Sequence, residues 1–169
     1  MADVREDGAP EASRAPLVAL TRPLAIAGGF LLLAVAGMVV VSVVMRWLTA
    51  YSVPGDIELV QIATALAVFS FFPICQGVRG NISVDTFTTW LPQRARDALD
   101  ALWDLLYALV ALVLAWRLAV GAIDTLRSHT VSMMLGLPIG WAIAACAAMA
   151  ALLAAVACAT ALRLMRGRA

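Results

Sequence analysis

Lysine does not occur in this chain, histidine occurs once and cysteine three times. Each shortage removes a class of function. His129 alone cannot supply the two axial ligands of a bis-histidine haem, and no carboxylate cluster has metal-ligand spacing. Cys75, Cys146 and Cys158 contain no C-x-x-C motif. Cys146 and Cys158 lie about 18 Å apart along one helix, too far to pair within it. The three cysteines read as small buried hydrophobes. No serine, threonine or cysteine has an evident base to activate it, so catalysis by this chain is not expected.

Only 14% of the residues are charged, while 63% are hydrophobic and the mean hydropathy is +0.94, far outside the range of a water-soluble domain. A helix crossing the hydrocarbon core needs roughly 20 apolar residues. Four stretches meet that length, at about 23–45, 57–78, 98–127 and 137–162. The runs are continuous and lack the two-residue alternation of a barrel wall, so the expected fold is an all-α membrane protein with four transmembrane helices. Residues 1–20, with Pro10, Pro16 and four acidic groups, read as a disordered tail before a membrane domain spanning 21–165. The first apolar run is too long for a signal peptide and has no small-residue cleavage site.

All positive charge is arginine, and its placement fixes an orientation. Nine arginines flank the spans on one side: Arg5, Arg14, Arg22, Arg79, Arg94, Arg96, Arg163, Arg166 and Arg168. Arg46 and Arg127 lie on the other, and Arg117 falls inside the third span. The positive-inside rule then places both termini in the cytoplasm.

Along the chain, Pro23 is expected near the start of the first helix. Arg46, Trp47 and Tyr51 mark its outer interface, where an aromatic ring keeps its polar edge wet. A turn through Pro54 and Gly55 leads to Asp56, read as the N-cap of the second helix, with Glu58 in the first turn. Glu58, Gln61, Ala65, Phe72 and Gln76 share one face of that helix and are expected to point at protein rather than lipid. Pro73 is a kink point near its inner end. The segment 82–92, carrying Asp85 and Trp90, has the spacing of a short amphipathic helix at the inner interface. Twelve alanines fall between Ala142 and Ala161, with small-xxx-small pairs such as Ala147/Ala151 and Ala150/Ala154. Such faces let helices pack closely, and make the second and fourth helices the expected partner-facing ones.

Arg117 is the costliest residue, since a charge inside the bilayer must snorkel or find an anion. Glu58 stands at a similar height, so a Glu58–Arg117 contact, direct or through Gln61 or water, is expected. No carboxylate sits at the midplane, which argues against transport by this chain alone.

Three runs resemble the DctQ-type small membrane subunit of tripartite ATP-independent periplasmic (TRAP) transporters. They are Val53-Pro54-Gly55-Asp56-Ile57-Glu58-Leu59-Val60, Phe72-Pro73-Ile74-Cys75-Gln76, and Arg79-Gly80-Asn81-Ile82-Ser83-Val84-Asp85. Ser132-Met133-Met134-Leu135-Gly136-Leu137-Pro138, ahead of Trp141, is similar to the family's approach to its last helix. Many members carry Gly-His-Ile where this chain has Gly80-Asn81-Ile82, so no histidine-dependent role transfers. Ile139-Gly140 also replace a bulkier aromatic pattern after Pro138.

The resemblance implies a subunit of the bacterial inner membrane that braces a large permease subunit. That permease would take up an organic acid, captured by a periplasmic binding protein, on a sodium gradient. No cofactor is then expected in this chain, and sodium would bind the large subunit. Lipid and membrane proteins, not nucleic acid, are the implied neighbours. Arg46, Trp47, Glu58, Gln61, Gln76, Arg79, Asn81, Asp85, Trp90, Arg117, Pro138 and Trp141 are the residues expected to shape the bundle or meet a partner. The competing readings are an independent small homo-oligomeric exporter and an accessory subunit of an unrelated membrane complex. A membrane redox enzyme is disfavoured by the missing histidine and cysteine pairs.

Overall fold

A computed structural model describes residues 16–51, 53–78 and 93–165, with side chains described over 19–51, 53–78 and 99–162. Among the described residues there are four helices: α1 (Pro16–Thr49), α2 (Asp56–Gly77), α3 (Gln93–Arg127) and α4 (Gly140–Met165). All four are long and apolar enough to cross a membrane. The expected interfacial segment, with Arg79, Asn81, Asp85 and Trp90, lies outside the described residues.

The boundaries differ from the sequence expectation in physically informative ways. Helix α1 begins at Pro16, so residues 16–20 are helical rather than part of a disordered tail, and Pro23 sits inside the helix instead of at its start. A membrane helix tolerates an internal proline because other groups can take up the freed carbonyl. At the start of α4 the reverse holds. Residues 137–139 are not helical, because Ser132 donates its N–H to the Leu137 carbonyl (2.9 Å) and Val131 bridges to Pro138. Helix α2 runs without a break through the buried Pro73.

Packing follows a seven-residue repeat of mostly small side chains. On α1, Thr21, Gly28 and Ser42 are buried, and the bulkier Val35, in the same register, is half-buried. The α2 set is Ala63, Ser70 and Gly77, with Ala67 completely buried. Helix α3 buries Ala101, Ala108, Ala115 and Ala122, plus Ala111. Helix α4 buries Ala147, Ala154 and Ala161, alternating with Ala150 and Ala157. Seven residues make two turns, so each set forms one stripe down its helix. Small stripes allow close backbone approach, which gives van der Waals contact where lipid supplies no hydrophobic drive. The expected Ala147/Ala151 pair is therefore replaced by Ala147/Ala150/Ala154, and Ala151 faces outward. At Gly28 the approach of α1 to α2 is so close that a Cβ would run into the Ser70 hydroxyl.

The helices stand in a row, α1–α2–α4–α3. The α3–α4 interface is the most extensive, α1–α2 and α2–α4 follow, and α1 barely touches α4. This open order explains the burial gradient: 6% of the most apolar window of α1 is buried against 39% for α4. A row has two broad faces, and large apolar side chains such as Phe30, Leu33, Val110 and Trp116 are exposed on them.

Candidate functional site

The end of the row at which α2 begins is tied by two carboxylates, Asp56 and Glu58. The chain enters α2 through Gly55, whose positive φ of 75° makes it the N-cap, so Asp56 is the first helical residue and not the cap expected for it. Asp56 Oδ1 accepts the Ile57 N–H at 2.8 Å, and Oδ2 accepts the Ser42 hydroxyl of α1 at 2.6 Å. Arg46 lies 3.7 Å from the same Oδ2. That ion pair is solvent-accessible and energetically minor, whereas the Ser42 bond fixes the register of α1 on α2.

Glu58 reaches across to the loop between α3 and α4. Its Oε1 accepts the Met134 N–H at 2.9 Å and its Oε2 the Leu135 N–H at 3.2 Å. The loop presents those donors because it folds on itself. Ser132 donates its N–H to the Leu137 carbonyl, Gly136 donates to the Ser132 carbonyl, and Leu137 donates to Ser132 Oγ. Successive backbone N–H groups turned to one side make an anion-binding concavity. Leu135 packs on Gly55, where a Cβ would collide with it. The two sequence runs around Gly55-Asp56 and Ser132–Pro138 thus form a single junction.

Among the described residues Glu58 and Arg117 form no direct ion pair. Both Glu58 oxygens are engaged by the loop, and Arg46–Asp56 is the ion pair found among the described residues. Arg117 points outward from α3. The shared polar face of α2 is also divided: Gln76 is buried and Glu58 half-buried, but Gln61, Ala65 and Phe72 are exposed. At the opposite end of α2, Gln76 Nε2 donates to Asp104 Oδ1 at 2.8 Å, linking α2 to α3 although those helices share no extended interface. Sequence spacing missed both the Gln76–Asp104 tie and the Glu58 clasp.

Between these ties a groove of about 620 Å³ opens among α2, α4, Leu118 of α3 and the loop joining α3 to α4. Its wall is apolar, with Phe69, Ile139, Ile143 and Cys146, and Glu58 and Gln61 lie at one end. Trp47, Tyr51, Pro138 and Trp141 are exposed near the same end of the row, as is His129, which adopts a positive φ of 49°. Of the cysteines, Cys146 is buried and Cys75 half-buried, but Cys158 is exposed, contrary to the reading of all three as buried. Among the described residues no group of three histidine, cysteine or acidic side chains could hold a metal ion.

The profile of the DctQ component of tripartite ATP-independent periplasmic transporters matches residues 35–167. No curated protein and no solved structure matches the chain.

Proposed function

Because the chain belongs to the DctQ component family of tripartite ATP-independent periplasmic transporters, we propose that it is the fixed brace of a sodium-driven importer of organic acids. As a member of that family it is a transporter component and not an enzyme. In this reading it lies in a bacterial inner membrane with both termini in the cytoplasm. It holds the stationary part of the large permease subunit, and a periplasmic binding protein delivers the substrate. Sodium and substrate bind the large subunit, and this chain needs no cofactor.

The observation that carries the reading is the open row of helices locked by small-residue seams. A row buries its own helix contacts and leaves broad apolar faces that lipid or a larger membrane protein can cover. The ties at both ends make the row stiff. Asp56 with Ser42 and Glu58 with the Met134–Leu135 loop hold the outer end, and Gln76 with Asp104 holds the inner end. A stiff slab enlarges the fixed scaffold against which a moving domain can work, as alternating access requires. The test is sodium-dependent uptake of a panel of radiolabelled carboxylates into cells carrying all three components. Omitting this chain is expected to reduce uptake to background. Undiminished uptake without it, or coupled uptake by this chain reconstituted alone, overturns the proposal.

A further inference from the structure

Arg117 is the charge in the membrane row that nothing in the row explains. Among the described residues, the other arginine and carboxylate side chains in the spans lie close to a span end or have a partner. Arg22, Arg46, Asp100, Asp124 and Arg127 lie within a turn of an end, as do Asp56 and Glu58, and Asp104 accepts from Gln76. Arg117 is ten residues from the nearer end of its span, Leu99–Arg127, exposed, and without an ion pair or hydrogen bond among the described residues. Around it on the same face of α3 stand Val110, Val113 and Leu114, all exposed and apolar.

Two anions could meet such a guanidinium, a lipid phosphate or a carboxylate on another membrane helix, and depth and direction choose between them. With Val113, the midpoint of the span, taken as the membrane midplane and the helix taken as upright, Arg117 lies four residues beyond it, about 6 Å from the midplane. The hydrocarbon boundary is about 15 Å from the midplane, leaving roughly 9 Å to climb. The side chain also starts in the wrong direction. In a helix the Cα–Cβ bond tilts toward the N-terminus, whereas the nearer boundary lies at the C-terminal end of α3. Snorkelling to a headgroup therefore works against both the distance and the geometry.

Building on the brace reading, we propose that Arg117 pairs within the membrane with a carboxylate on a helix of the large permease subunit, so that the exposed Val110–Arg117 face of α3 is the docking face. This replaces α2 and α4 as the partner-facing helices. A desolvated guanidinium–carboxylate pair fixes the register of two otherwise smooth apolar surfaces, and removing one partner leaves the other charge stranded.

The test uses the full-length chain co-expressed with the large subunit and captured by a tag on the small one. Arg117→Leu and Arg117→Glu are expected to retain at least tenfold less large subunit, while Arg117→Lys retains most of it. A carboxylate-to-arginine change in the large subunit should restore binding to Arg117→Glu. A photo-crosslinking side chain at Val113 should capture the large subunit. Wild-type retention of the large subunit by Arg117→Leu overturns the proposal, and if bound phospholipid falls instead, the anion is a lipid phosphate. A fall in membrane abundance of Arg117→Leu expressed alone also overturns it, because the arginine then serves the chain's own fold. If wild type retains no large subunit and Val113 captures no protein, it is the brace reading that fails.

Discussion

Glu58 shows how far a single residue can be read from sequence. Its place in the first turn of α2 was legible from the turn at Pro54-Gly55 and the length of the apolar run. Its partner was not, because side-chain patterns do not display backbone donors. The N–H groups of Met134 and Leu135 converge only after Ser132 and Leu137 close the loop. Glu58→Gln keeps one acceptor oxygen and Glu58→Leu keeps none. Amide hydrogen exchange at Met134 and Leu135 should accelerate in both variants, and more in the second. Unchanged exchange in Glu58→Leu would show that the loop holds itself. At the other end of α2, Asp104→Leu removes an acceptor from the buried Gln76 amide and should cost about 1–3 kcal/mol in thermal unfolding in detergent. Asp104→Asn, which retains a carbonyl oxygen, should lose less.

For the helices, number, type and approximate extent were legible because apolar runs of this length have one solution in a bilayer. The seams were only half legible. Alanine fills most positions of α4, so composition announced close packing without saying which azimuth faces a neighbour. Position on the seven-residue stripe decides the effect of a substitution, which makes neighbouring pairs diagnostic. Ala150 is completely buried and Ala151 exposed. Ala150→Leu should cost about 1–3 kcal/mol through overpacking, and Ala151→Leu close to nothing in the isolated chain. Likewise Gly28 abuts Ser70 while nothing lies within 4 Å of a Cβ at Gly29. Gly28→Leu should lower the unfolding midpoint of the α1–α2 pair, and Gly29→Leu should leave it unchanged. If both members of either pair behave alike, the seam assignment is wrong.

At the scale of the whole molecule, hydropathy reports how many times the chain crosses but not how the helices are arranged side by side. The chain order α1–α2–α3–α4 becomes the spatial order α1–α2–α4–α3, because the alanine stripes of α3 and α4 match each other and the α1 stripe matches α2. An open row is a good shape for an added wall. Orientation decides which end of that wall meets which partner, and the arginine asymmetry makes it testable. With both termini inside, the Glu58–Ser132 junction faces the periplasm, where a binding protein arrives. A cysteine introduced at the fully exposed Met133 should react with a membrane-impermeant maleimide in intact cells. Alkaline phosphatase fused after residue 169 should stay inactive, while green fluorescent protein at the same point should fluoresce. Active phosphatase there, with Met133→Cys protected until the cells are opened, would invert the row. The junction would then lie on the cytoplasmic side, out of reach of any periplasmic protein.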